Sequence, residues 1–298
     1  MRRLLFSVFI LLLGVIGNSQ SKIVVFQSDF GLKDGAVSAM KGVAMGVSPD
    51  LKLFDLTQEI PAYNIWEGAY RLMQTVPYWP EGTVFVSVVD PGVGTSRKSV
   101  VAKTKTGQYI VTPDNGTLTL IAETLGIAEL REIDEAVNRR KNSEKSYTFH
   151  GRDVYAYTGA RLASGVISYE QVGKSLPAEP VMISYQKATL AGNVIKGNIP
   201  VLDIQYGNVW TNIGADLFSQ WKLKPGDKIQ VRIFNNRQKV YEGTMPYVET
   251  FGAVAKGKPL AYLNSLLQLS FALNMDSFAK VHHVGSGSEW SVEVSKAK

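Results

Sequence analysis

An apolar run from Val84 to Val89 stops abruptly at Asp90-Pro91-Gly92, and the stretch Val86 to Arg97 reads V-S-V-V-D-P-G-V-G-T-S-R. β-Branched residues followed by Asp-Pro-Gly predict a buried strand and then a sharp turn. A chain with such a strand favours an α/β sheet, and in these sheets ligands bind outside the carboxyl ends of strands. Asp90 stands at such an end. Gly92 and Gly94 allow close backbone approach, and Arg97 closes the loop with a fixed cation. Taken alone, the stretch also reads as a tight turn with a surface Asp–Arg pair, because Asp-Pro-Gly turns are common.

The neighbouring segments extend the pattern. Lys22 to Gln27 predicts a short buried strand ending at Ser28-Asp29-Phe30-Gly31, a second carboxylate at a strand terminus. Gly35 to Val47 and Ile65 to Val76 have helical spacing, the second with Asn64 as its N-cap. Ser99 to Thr104 and Tyr109 to Thr112 predict a hairpin, and Pro113 to Gly116 a turn into a helix at Thr117 to Thr124. Glu132 to Ser146 reads as an exposed connection, with Arg139-Arg140-Lys141 as a solvated cluster. Phe149-His150-Gly151-Arg152-Asp153 then precedes a helix from Val154 to Ser164. This alternation predicts an α/β domain. Beyond Leu176 the prolines mark a linker, and short strands with turns from Ala191 onward predict a small all-β domain, a barrel or sandwich.

The first residues carry a different signal. Met1-Arg2-Arg3 is a basic start, Leu4 to Ile16 is apolar, and Gly17-Asn18-Ser19 precedes a cut at Gln20. This is the pattern of a secretory signal peptide, and the apolar run is shorter than the ~20 residues of a membrane span. The divisions expected are therefore 1–19 signal peptide, 20–176 α/β domain, 177–190 linker and 191–298 β domain. The protein is expected to be exported, periplasmic or secreted, without a stable membrane anchor. The chain has no cysteine, which excludes disulfides, thiolate metal sites and a lipidated cysteine. Its net charge of +6 comes from scattered basic residues rather than a stripe, which argues against nucleic acid as partner. His282-His283 lacks a third ligand nearby and reads as an exposed strand end, so no metal is expected.

Four blocks in order, Ser28 to Gly31, Asp90 to Gly94 with Arg97, Phe149 to Asp153, and Asp203-Ile204-Gln205-Tyr206-Gly207-Asn208, are followed by Asn264-Ser265 and Asn274. This ordered set resembles the S-adenosyl-L-methionine hydroxide adenosyltransferases, relatives of the bacterial fluorinase and chlorinase. The resemblance spans nearly all of the chain after residue 19. It implies an α/β N-terminal domain, a barrel-like C-terminal domain, and a homotrimer with active sites between subunits. It implies cleavage of S-adenosyl-L-methionine at the ribose C5′ to adenosine and methionine. Water or hydroxide is the nucleophile, and no cofactor is needed.

By motif match the resemblance places a water-handling triad on Asp90, Arg97 and His150. A carboxylate and an imidazole can hold water and accept its proton, while an arginine keeps the carboxylate ionised. The halide-using relatives lack this Asp and His, and the inserted loop of the fluorinases is absent here, which favours hydroxide. The same matching gives Asp29 the ribose hydroxyls, and Asp203 and Asn208 the methionine end. It places Tyr206 beside the ligand, Ser265 in the segment cupping it, and Tyr63 where the fluorinase has a tryptophan. Leu266 and Leu273 stand where the halogenases carry arginines. Two other readings compete: an exported nucleoside-binding protein without turnover, and a halogenase.

Overall fold

The computed structural model describes residues 21–297, so the expected signal peptide lies outside the described residues. The N-terminal part is built on a seven-stranded sheet ordered β2-β1-β3-β5-β4-β6-β7. Its strands are β1 (Ile23–Ser28), β2 (Lys52–Thr57), β3 (Val84–Val88), β4 (Ser99–Thr104), β5 (Tyr109–Pro113), β6 (Ile127–Glu132) and β7 (Ser175–Leu176). β2, β1, β3 and β5 run parallel; β4, β6 and β7 add an antiparallel half. The β4–β5 hairpin forms as its sequence predicts.

Successive side chains of a strand point to opposite faces, and both faces here are covered. Val24, Phe26, Val84, Val86 and Val88 pack with Val37, Met40 and Ala44 of α1 (Ala36–Val47) and with the helix near Ala160. Val25, Phe85, Val100 and Ile110 pack on the other side with Leu72 of α2 (Ile65–Thr75) and Ile121 of α3 (Thr119–Thr124). A sheet buried on both faces explains why β1 and β3 read as continuous apolar runs. Asn64 does cap α2, its side chain accepting from Glu67 N at 3.0 Å.

Two N-terminal segments differ from expectation. The connection 132–146 contains a short helix, α4 (Glu135–Asn138), and is partly buried. Arg139 and Arg140 are not a solvated cluster, because both are drawn into ion pairs with Glu135 and Asp153. The helix expected from Val154 starts earlier, as a wide π turn over Gly151–Ala156 that leads into α5 (Tyr157–Ser164).

Residues 177–188 have no helix or strand and run along the first domain, where Val181 N donates to Asp114 Oδ1 (2.8 Å) and Ile183 N to Thr119 Oγ1 (2.9 Å). The C-terminal part holds β8 (Thr189–Ala191), β9 (Val194–Asn198), β10 (Val201–Leu202), β11 (Val209–Gly214), β12 (Lys228–Asn235), β13 (Gln238–Pro246), β14 (Pro259–Leu263), β15 (Gln268–Leu273) and β16 (Trp290–Lys296). They form two antiparallel sheets, β10-β11-β15-β14 and β13-β12-β16-β9-β8. Ile195, Val209, Ile213, Val231, Phe271 and Val292 fill one core. Two short helices, α6 (Ala215–Phe218) and α7 (Phe278–His282), complete this part. His282 therefore ends a helix, packed against Tyr241 and Phe278, rather than a strand.

The domains meet through Trp66. Its ring is 5% exposed, its Nε1 donates to Pro200 O at 3.1 Å, and its cluster joins Tyr70 and Leu120 to Val201 of the second domain.

Candidate active site

β1 and β3 are parallel neighbours in register, Ser28 opposite Val88. Their carboxyl ends lie side by side, which places the loops bearing Asp29 and Asp90 at one edge of the sheet. After β3 the chain makes two tight turns, Val93 N donating to Asp90 O and Thr95 N to Gly92 O. Gly94 has φ +75°, and a Cβ there would lie 3.2 Å from Tyr147 O. Only glycine lets this loop lie so close to the segment that carries His150.

Arg97 grips Asp90 with both ends of its fork: Nε to Oδ1 at 2.9 Å and Nη2 to Oδ2 at 2.6 Å. Its Nη1 donates to Ser99 Oγ at 3.0 Å. The pair is nearly buried, the side chains 11% and 5% exposed. Bidentate geometry fixes the orientation of the carboxylate as well as its charge. Burial is the largest single influence and opposes the Arg97 cation, but the Asp90 hydrogen bond together with the Tyr155, Asp90 and Glu135 charges outweighs it and holds the guanidinium above its ordinary value. Tyr155 OH adds a contact to Asp90 Oδ2 at 3.3 Å and lies 3.2 Å from Ser99 Oγ. Burial first, and then the Asp90 charge, push the Tyr155 phenol well upward.

His150 lies at the start of the π turn, a feature frequent at functional sites. Its Nδ1 is 2.8 Å from Arg97 Nη2, so Asp90, Arg97 and His150 form one contact chain. Gly151 permits this, because a Cβ there would meet the Phe30 ring at 3.1 Å. Asp153 anchors the turn, fully buried and bonded by Arg152 (2.8 and 2.7 Å) and Arg140 (2.9 Å). Burial favours its neutral acid, but those two guanidinium groups prevail and hold the carboxyl below its usual range. His150 itself is pushed down, by burial first and by the Arg97 and Arg139 cations, with Glu135 and Asp90 opposing. The imidazole is therefore neutral near pH 7.

Asp29 accepts from Tyr63 N at 2.8 Å through Oδ2. Tyr63 has φ +68° and is 72% exposed, a strained backbone for a bulky residue and one typical of ligand contacts. In the second domain Asp203 and Asn208 close a turn, Asn208 Nδ2 reaching Asp203 Oδ2 at 3.3 Å. Tyr206 stands out between them, 67% exposed. It borders a cleft of about 390 Å³ that Glu59, Pro61 and Glu67 of the first domain share with Asp203 and Ser277 of the second. It also borders a cavity of about 570 Å³ with Asn208, Phe251, Asn274 and Met275.

Ser265 is not brought to these clefts by its own chain. It occupies the exposed turn before β15, whereas Asn274 follows the other end of that strand. Leu266 packs beside the Trp66 cluster, and Leu273 is buried in the second core.

The residues that sequence reasoning missed are Arg139, Glu135, Tyr155 and Ser99. Arg139 Nη2 lies 2.9 Å from His150 Nε2, and its Nε and Nη2 bond Glu135 Oε2 at 3.2 and 2.6 Å. The available signal was the i,i+4 spacing of Glu135 and Arg139 behind the capping residue Asp134.

The comparisons with known proteins agree with this architecture. The SAM hydroxide adenosyltransferase N-terminal domain matches residues 24–173, and the corresponding C-terminal domain matches residues 197–291. The (R)-S-adenosyl-L-methionine hydrolase of Methanocaldococcus jannaschii is 35% identical over 267 residues, 88% of this chain and 92% of that one. The protein of the same name from Thermus thermophilus is 33% identical over 261 residues, 85% and 92% of the two chains. A fluorinase from Actinopolyspora mzabensis is 28% identical, covering 92% and 97%. A crystal structure of a conserved protein from Thermotoga maritima superposes with a TM-score of 0.83 at 35% identity, covering 92% of this chain and all of that one. Matched across both domains, the chain belongs to the SAM hydroxide adenosyltransferase family.

Proposed function

We propose that this protein is an S-adenosyl-L-methionine hydrolase that cleaves the C5′–S bond with water, giving adenosine and L-methionine. The observation that carries the reading is the Asp90–Arg97–His150 contact chain beside the Asp29 loop, at the edge where β1 and β3 end.

The sulfonium makes methionine a ready leaving group, so the work left for the protein is to place and activate an oxygen nucleophile. As the C5′–O bond forms, the C5′–S bond opens and its electron pair stays on sulfur. The water's O–H bond breaks, and its proton passes to the Asp90 carboxylate and then to solvent. Arg97 holds that carboxylate aimed through its two-point grip; His150, held neutral, fixes Arg97 from the other side. The buried setting strips hydration from the nucleophile. Asp29 takes the ribose hydroxyls through Oδ1, the oxygen that Tyr63 leaves free, with Tyr63 packed along the nucleoside. Asp203, Asn208 and Tyr206 hold the methionine end, and Ser265 reaches the site of an adjoining subunit.

The remaining parts of the reading rest on the same likeness. A homotrimer with sites between subunits would cover Tyr63, Tyr206 and Met275, all of them exposed. The C-terminal sheets would close toward a barrel through the single bridge between Tyr247 and Ala261. The domain limits of 20–176 and 191–298, and export directed by residues 1–19, complete the proposal. No organic cofactor is required.

The test is incubation with S-adenosyl-L-methionine in water enriched in heavy oxygen, with and without halide. The expected product is adenosine labelled at its 5′ oxygen at a rate independent of halide. A 5′-halogenated nucleoside, or saturable binding with no product, would overturn the reading. In the same assay Asp29→Ala should raise KM by about tenfold to a hundredfold while kcat changes far less, since a ribose clamp contributes to ground and transition states alike. An unchanged KM would remove Asp29 from the ribose site.

A further inference from the structure

His150 is contacted on both ring nitrogens by guanidinium groups. Arg97 Nη2 stands 2.8 Å from Nδ1, and Arg139 Nη2 stands 2.9 Å from Nε2. Guanidinium groups only donate, and a neutral imidazole has one lone pair and one N–H. One of the two contacts is therefore a hydrogen bond, and the other sets two donors against each other. An imidazolium, with two N–H groups, would oppose both arginines. The arrangement tolerates only the neutral ring.

The two arginines are held differently. Arg97 is tied to Asp90 and Ser99 at the rigid end of the sheet. Arg139 follows the four-residue helix α4 and is tied to Glu135, whose carboxylate is 34% exposed. The Arg139 side chain is itself only 7% exposed, with Tyr147 against its face at 4.7 Å. Its Nη1 is buried without a hydrogen-bond partner among the described residues. A guanidinium placed only to stabilise the fold has no reason to leave a buried donor open, because an unmet donor carries a desolvation cost.

We propose that Arg139 is a second positioning residue of this active site: anchored by Glu135, it holds the Nε2 edge of His150 and keeps the ring neutral and fixed beside Arg97. This rests on the hydrolase reading for its effect on rate, but not for its effect on His150. The charged and titratable groups facing the ring are Asp90 and Arg97 from the loop after β3, Glu135 from α4 and Arg139 just after it, Tyr147 from the segment preceding His150 and Tyr155 from the π turn.

The sign follows from the charges. Arg139 disfavours the imidazolium, so removing its charge raises the His150 midpoint. The acid limb of kcat/KM then moves to higher pH. The experiment compares the unmodified protein with Arg139→Gln, Arg139→Lys and the exposed control Lys141→Gln. Two readouts are taken: NMR titration of the imidazoles, with three histidines in the chain, and the pH profile of S-adenosyl-L-methionine cleavage.

Arg139→Gln should raise the His150 midpoint, move the acid limb upward with it, and lower kcat about tenfold with KM little changed. Arg139→Lys should keep the midpoint near its original place but still lose rate, because an ammonium cannot fork between Glu135 and Nε2. Lys141→Gln should move neither readout. The proposal is overturned by an unmoved His150 midpoint in Arg139→Gln, or by an equal shift in Lys141→Gln. Should the unmodified protein release no adenosine while Arg139→Gln still moves the midpoint, the hydrolase reading fails and the grip on His150 stands.

Discussion

Asp90→Asn should cut turnover by orders of magnitude while leaving ligand binding largely intact. The amide keeps the size of the side chain and an oxygen for Arg97, but it cannot take a proton from water at neutral pH. No neighbour can replace it. Both nitrogens of His150 face guanidinium groups, and the Tyr155 hydroxyl is held protonated by burial and by the Asp90 charge. General-base catalysis contributes about 10²- to 10⁴-fold, so kcat should fall by roughly that factor. Calorimetric titration with S-adenosyl-L-methionine should still show binding close to that of the unmodified protein. A kcat within tenfold of the original would take the proton-accepting role away from Asp90. Lost binding would make Asp90 a ligand-holding residue instead.

The largest expected effect on stability lies away from the chemistry. Trp66→Ala removes the ring at the junction of the two domains, and with it the Nε1 bond to Pro200 O. Buried Trp-to-Ala changes cost about 3–5 kcal/mol, because the lost apolar contact is compounded by the cavity left behind. Here the surrounding groups come from both domains and the linker: Tyr70 and Leu120 on one side, Val201 and Trp210 on the other, with the Tyr185 ring tilted against it at 4.7 Å. Urea unfolding should show the midpoint falling steeply and one transition resolving into two as the domains uncouple. A loss below about 1 kcal/mol would mean that the domains are held together elsewhere. Since the cleft beside Tyr206 is lined by both domains, the variant should also bind substrate more weakly.

Much of this molecule was legible because its signals are local. The β4–β5 hairpin, the Asn64 cap and the strands ending at Asp29 and Asp90 follow from short runs of side chains whose period and turn chemistry admit few alternatives. Strands β11 and β15 were not expected, although β11 alternates buried and half-buried residues. Its Thr, Asn and Gly content hides that alternation within a turn-rich segment. The sequence starts this helix only at Val154, because the wide turn from Gly151 has no local signature and lies where the His150 segment packs against Phe30.

The basic run at residues 139–141 shows the limit most clearly. As sequence it is a charge cluster, and charge clusters are usually solvated. In the fold its residues diverge: Arg139 turns to His150, Arg140 to buried Asp153, and Lys141 stays exposed. Composition cannot distinguish three basic neighbours whose fates are set by groups at positions 135, 150 and 153. By itself, then, the sequence determined the strands that carry the site, their turns, the two-domain order and the residue types available for chemistry, since these depend on local sterics and periodicity. Only the tertiary structure decided that β1 and β3 end side by side, and that His150 lies between two arginines. Those outcomes depend on segments tens of residues apart returning to one place, where burial and charge pairing are settled jointly.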